Sequence, residues 1–169
     1  KALMKSDRAR ALLDLDRAVE LDPASASPWA TRAELKRQMN DFQGAVDDDT
    51  RALALNPDSA AVLNNRATSR IRLGDLDGAI ADLDRALEIE PRDPIIRANR
   101  GHARGERGDV TGALEDLAAA LEIKPTCAPA LSIRGSLRLK SGDTEGARSD
   151  IKAALELAPE LPESWAQWG

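Results

Sequence analysis

Large aromatic side chains are almost missing from this sequence. They make up 2% of its 169 residues, as Trp29, Phe42, Trp165 and Trp168. A single thick core ordinarily relies on such side chains for buried area. Alanine and leucine must do that work here, which suits thin layers of closely approaching helices. Cysteine occurs once, as Cys127, which excludes an internal disulfide and a cysteine-rich zinc site. Its place between repeats reads as an ordinary loop thiol. Histidine also occurs once, as His102. A lone histidine with no acidic or cysteine cluster is not a metal site, and no motif sets a serine or cysteine against it for nucleophilic chemistry. No cofactor, no metal and no enzymatic activity are expected.

No apolar run approaches the roughly 18 residues that a membrane span requires, and no secretory signal is visible within this stretch. Charge of one sign is not concentrated either. Twenty-four basic and 29 acidic residues give a net charge of −5. They are spread evenly, without the one-faced basic cluster that nucleic-acid binding needs. The chain starts at Lys1 without an initiator Met and, as the repeat shows, starts and stops partway through a unit. It therefore reads as a piece of a longer protein, cytoplasmic, with any targeting signal outside this stretch.

What the sequence does have is a repeat. Pro23, Pro57, Pro91, Pro125 and Pro159 fall 34 residues apart. Other columns keep the same register: Ala45, Ala79, Ala113 and Ala147 form one, Ala52, Ala86, Ala120 and Ala154 a second. Asp41, Asp75, Asp109 and Asp143 form a third, and three of them follow Gly74, Gly108 and Gly142. Glycine then aspartate reads as one helix ending and the next beginning. From there Leu76, Ala79, Ile80, Leu83, Ala86, Leu87 and Ile89 trace a stripe at helical intervals. The proline cannot continue that helix and closes the unit. Ser27-Pro28 and Asp93-Pro94 open the next one. Ala33, Ala67, Gly101 and Gly135 lack bulk, so paired helices can approach there. Each unit is a helical hairpin that buries its apolar face only by stacking on a neighbour.

On Trp29, the alanine columns, Gly101 and Gly135 and the terminal prolines, the chain resembles the tetratricopeptide repeat (TPR) family over essentially its whole length, in a bacterial-type version. The resemblance implies an all-α, right-handed superhelical solenoid of antiparallel helix pairs. Residues 1–169 then form a single array, with complete repeats at 26–59, 60–93, 94–127 and 128–161 and partial repeats at 1–25 and 162–169. Residues 1–25 would hold the end of a first helix and a whole second helix. Trp165 and Trp168 would sit on an unfinished end, partly exposed or covered by a neighbouring molecule.

The chain departs from the family pattern in two ways. Arg32, Arg66, Arg100 and Arg134 stand where the family usually has leucine, and Lys36, Arg70, Arg104 and Arg138 where it has tyrosine. The second helices carry Asp14, Asp48, Asp82, Asp116 and Asp150 at matching depth. One reading is a basic ladder for a ligand. The other is an Arg–Asp ladder between packed helices, favoured because the two columns recur together and cancel in charge. The sequence does not decide whether such pairs form within or between repeats. Asp49 is the second departure, in a column that otherwise holds Leu15, Leu83, Leu117 and Ile151. A carboxylate there must be paired or solvated. The choice is between a locally loosened repeat and an acidic patch for a partner.

The resemblance places the first helices on a concave face. The candidate groove residues are Asn64, Asn65, Thr68, Arg72, Asn99, His102 and Lys140. Together with Glu34, Arg37 and Glu106 they make a small, polar, nearly neutral surface. It suits an extended peptide held through its backbone rather than an anionic polymer. Asn65 and Asn99 are one repeat apart, and a primary amide can donate to and accept from a peptide group at once. Equally, each could hydrogen-bond only the neighbouring helix. The lysine of the family's terminal-carboxylate clamp corresponds to Ala30, Asn64, Ala98 and Ser132, none of them basic, so that activity is not implied. The expected function is a protein-interaction scaffold that binds an extended peptide segment of a partner. The alternatives are a structural spacer or end-to-end self-assembling array, or the substrate-selecting arm of a larger enzyme.

Overall fold

The computed structural model describes residues 2–157, with side chains from residue 7 onward. Trp165, Trp168, Pro159, the last residues of the repeat at 128–161 and the partial repeat at 162–169 lie outside the described residues. Those described form nine α-helices and no strand. They divide into two compact units, Lys1–Ile89 and Glu90–Gly169.

The first unit holds α1 (Ala2–Leu21), α2 (Ala26–Gln38), α3 (Phe42–Leu55), α4 (Ala60–Leu73) and α5 (Leu76–Ile89). Helices α2 and α3 form one hairpin and α4 and α5 the next, with α3 packed on α4 and α1 on α2. The second unit holds α6 (Pro94–Arg107), α7 (Val110–Ile123), α8 (Ala128–Lys140) and α9 (Thr144–Leu157). There α6 pairs with α7 and α8 with α9, and α8 also packs against both α6 and α7.

The aspartate column acts as expected. Asp41, Asp75, Asp109 and Asp143 each accept a hydrogen bond from the backbone N–H three residues on, at 2.9–3.0 Å. Each cap satisfies one of the donors that a helix start leaves open, an effect of about 1 kcal/mol. The residue before each cap is left-handed: Gly74, Gly108 and Gly142 at φ 82°, 96° and 87°, and Asn40 at 63°. Asparagine tolerates that conformation, so the first hairpin turns without glycine. Pro57, Pro91 and Pro125 follow the ends of α3, α5 and α7 by two residues.

Two helix starts differ from the sequence reading. Helix α2 begins at Ala26 after Ser25, so Ser27-Pro28 lies inside its first turn. Helix α1 runs unbroken from Ala2 to Leu21, where a turn was expected before Asp7. Ser6 stands where the other repeats have the turn-forming glycine or asparagine.

Alanine supplies the close contacts. Ala33, Ala45, Ala67 and Ala79 in the first unit are fully buried. In the second, Ala98, Ala113, Leu117, Ala120, Ala130, Ile133 and Leu137 form one cluster. A Cβ added to Gly101 would lie 3.0 Å from Leu117 Cγ and 3.1 Å from the Ala113 carbonyl, which shows how near α6 comes to α7. Cys127 belongs to this cluster at 1% exposure. It precedes α8 and points inward, so the expectation of an accessible loop thiol does not hold.

The charged columns form the ladder between helices, and the pairs close within each hairpin. Arg66 donates from Nε and Nη2 to the two oxygens of Asp82 at 2.8 and 2.6 Å, and Arg70 adds a third bond at 2.7 Å. Arg100 and Arg104 hold Asp116 in the same way, and Arg134 and Arg138 hold Asp150. In the first hairpin Arg32 and Lys36 hold Asp48. Arg32 also reaches Asp16 of α1 at 2.7 Å, and Arg66 reaches Thr50 of α3 at 3.1 Å. Asp48, Asp82, Asp116 and Asp150 are all buried.

Removing one partner leaves buried charge uncompensated. Asp82→Ala is expected to lower stability by about 3–5 kcal/mol, because it strands both Arg66 and Arg70. Urea denaturation followed by far-UV circular dichroism measures this. An unchanged midpoint would mean the ladder contributes nothing.

Candidate functional site

In the first unit α4 carries Asn64, Asn65, Thr68 and Arg72 along one stripe. Ser59 starts this helix by accepting from the Val62 N–H at 3.4 Å. Asn64, Asn65 and Thr68 are half-buried and Arg72 is exposed. The Thr68 hydroxyl donates to the Asn64 carbonyl at 2.9 Å, so it is already occupied. The Arg72 guanidinium lies 4.5 Å over the Phe42 ring, an attraction that holds the side chain down on α3. Among the described residues the Asn65 side chain makes no hydrogen bond with the rest of the chain.

Helix α2 adds Glu34, Arg37 and Gln38. Gln38 donates to Glu34 Oε1 at 3.0 Å, and Arg37 donates to Glu34 Oε2. The bond from Gln38, joined by Arg37, holds the Glu34 carboxyl below its ordinary value against the opposing effect of burial. Arg37 turns its other Nη towards Asp49 Oδ2 at 3.1 Å. Asp49 is fully buried, which overturns the expectation of an acidic patch for a partner, since such a patch would have to be exposed. Helix α3 runs unbroken through this residue, and Arg37 partners the carboxylate there.

In the second unit α6 carries Asn99 and His102, and α8 carries Lys140. His102 is half-buried. Burial pushes its pKa down, Glu106 opposes the shift, and Lys140 adds to it. Lys140 Nζ lies 3.1 Å from Glu106 Oε1, so its charge is balanced within the unit. The signal for this pair was present in the sequence: Glu106 and Lys140 occupy one column in adjacent repeats. The Arg37–Asp49 contact and the stacking of Arg72 on Phe42 had no such signal, since both depend on where a long side chain bends.

The α8–α9 hairpin presents a groove of about 560 Å³ lined by Leu139, Ala147, Ile151 and Leu155 with Arg148 and Lys152. Ala113, Leu117 and Leu121 are the 34-residue counterparts of Ala147, Ile151 and Leu155, and in that earlier hairpin α8 packs over the surface they form. Leu155 is 49% exposed, whereas Leu53 and Leu87 in its column are 7% and 8% exposed. Among the described residues no group of three or more His, Cys, Asp or Glu could hold a metal ion. No helix among them is long and apolar enough to cross a membrane.

A family model for the tetratricopeptide repeat matches residues 30–94 and 99–162. Comparison with curated protein sequences gives no match. Among solved structures, the chain is similar to PilW, a widely conserved type IV pilus biogenesis factor. The TM-score is 0.84 and the identity 24%, covering 99% of this chain and 77% of that one. It is similar to MamA from Desulfovibrio magneticus RS-1 at TM-score 0.78 and 16% identity, covering 94% and 90%. It is also similar to YrrB, a TPR protein with an unusual peptide-binding site, at TM-score 0.71 and 23% identity, covering 97% and 84%.

His102 gives this surface a measurable pH response. Its folded pKa is lowered, so below about pH 6.5 the unfolded chain binds a proton that the folded chain resists. Stability contributed by neutral His102 is present above that pH and is lost on acidification. Melting curves at pH 7.5 and 5.5 should show a smaller acid-induced loss for His102→Gln than for the wild type. Equal losses would mean His102 is not burdened by burial.

Proposed function

The chain belongs to the tetratricopeptide repeat family, and from that membership we propose that it is a protein-interaction scaffold whose first helices hold an extended, largely uncharged peptide segment of a partner. The observation that carries this reading is Asn65. Its amide is half-buried on the α4 stripe and unsatisfied by the chain, so a peptide group lying along α4 would complete both its donor and its acceptor. Asn99 stands at the same repeat position on α6. In the first unit Glu34 pairs with Arg37, leaving Arg72 as the exposed charge on α4, and in the second unit Lys140 pairs with Glu106, so neither unit concentrates the charge of one sign that would select a strongly acidic or basic ligand. A peptide read mainly through its backbone fits such a surface. The peptide-binding site of the similar protein YrrB supports the reading.

A second reading, self-association, is favoured by the α9 groove. Its apolar floor is rimmed by Arg148 and by Lys152 and Glu156, which lie 3.9 Å apart. Helix α1 exposes Leu13 and Leu21 at 67% and 69%, beside the exposed carboxylates of Asp14 and Glu20. Both surfaces expose apolar side chains, so a second copy could seat α1 in the groove.

Two measurements separate the readings. Peptides selected for wild-type binding from a random displayed library should bind the Asn65→Ala, Asn99→Ala double variant about tenfold or more weakly, at about 1 kcal/mol per lost hydrogen bond. Undiminished affinity would remove the groove reading. Sedimentation velocity over a wide concentration range tests the other. Self-association should appear in the wild type and vanish in Leu155→Lys, and a strictly monomeric wild type would rule it out.

A further inference from the structure

Asp49 replaces the leucine that seats a second helix on its first. In the second unit Leu117, of the same column, is fully buried against Gly101. Asp49 is buried just as completely, but it carries a carboxyl group into that position. One oxygen, Oδ2, accepts from Arg37 at 3.1 Å. The other, Oδ1, has no hydrogen-bond partner among the described residues.

The charged groups that face it are committed elsewhere. On α2, Arg37 shares its guanidinium with Glu34. On α3 itself, neighbouring Asp48 is held by Arg32 and Lys36. On α4, Arg66 has its fork on Asp82 and its remaining Nη on Thr50. Among the described residues helix α1 enters this network through Asp16, which is bound to Arg32. Asp49 therefore has half the partnership that an ionised buried carboxylate needs, while a proton on Oδ1 would make the position neutral.

We propose that Asp49 is a proton-operated latch of the first unit: protonated, it leaves the core between α2, α3 and α4 neutral and tightly seated, and ionised, it depends on Arg37 and loosens that core. Burial, the largest influence, pushes its pKa up to about 7, against the pull of Arg37 and Arg66 and with the support of Asp48. The unfolded chain releases this proton near 3.8. Between those values the folded state holds a proton that the unfolded state has lost, so stability falls as pH rises. The loss begins above the unfolded value and is complete above about 7. This is the opposite sign to His102, so the first unit would open towards alkaline pH.

The test has two arms. Carboxyl carbon NMR on aspartate-labelled protein should show Asp49 titrating near neutrality, and a midpoint below about 5 would overturn the proposal. Urea unfolding should show the wild-type folding equilibrium losing at least about tenfold more than Asp49→Asn or Asp49→Leu between pH 5.5 and 8.0, each pH unit up to the folded pKa being worth about tenfold. If both variants keep the wild-type pH dependence, Asp49 is not the titrating group and the latch does not exist. The NMR arm decides the matter even if a variant fails to fold.

Discussion

One buried carboxylate gripped by two cations ties the two helices of each described hairpin, and at Asp82, Asp116 and Asp150 the grip is three charge-assisted hydrogen bonds. The fork from Arg66 sets both the distance and the rotation of α4 against α5, because two parallel bonds tolerate little twist. Arg70, one turn further along, fixes the tilt. A chain with so few aromatics has little bulk with which to set those angles, and alanine contacts by themselves allow helices to slide. The ion pairs supply the direction and the alanine columns supply the closeness. Neither would suffice, since paired charges without close packing would be open to water and weak.

Most of the fold was legible because it is periodic. The Gly-Asp column was readable as a turn and a cap because each residue type has one common reason to stand there, and the structure shows the left-handed residue and the cap at Asp41, Asp75, Asp109 and Asp143. The Arg–Asp columns were legible as a pair but not as a geometry. Separations of 16 and 12 residues place the partners within one hairpin. The extra bonds from Arg32 to Asp16 and from Arg66 to Thr50 could not be foreseen, because the arginine column continues while its second partner changes type. Helix α1 and Cys127 misled for the same reason: the register marks a position in the repeat, not the local cap or burial that a single residue produces.

The candidate faces were less legible, and the reason is physical. A groove residue is defined by what its side chain leaves unsatisfied, and that depends on neighbours with several rotatable bonds. Register alone made Asn65 and Asn99 candidates. It could not show that Thr68 is turned to its own helix, that Arg72 lies on Phe42, or that Lys140 is held by Glu106. Asp49 was visible as an anomaly from sequence. Its meaning came only with the position of Arg37.

The closure of each lock inside its own hairpin has a consequence for how such a chain can change length. Arg100 and Arg104 find Asp116 within one 34-residue stretch, and Arg134 and Arg138 find Asp150 within the next. Duplication or deletion of a whole stretch would carry each fork along with its own carboxylate and leave those forks complete. A recombination point inside a hairpin would separate them. Unequal crossing-over would therefore be tolerated at the proline turns and penalised between the paired helices, which makes the hairpin the heritable unit of this array.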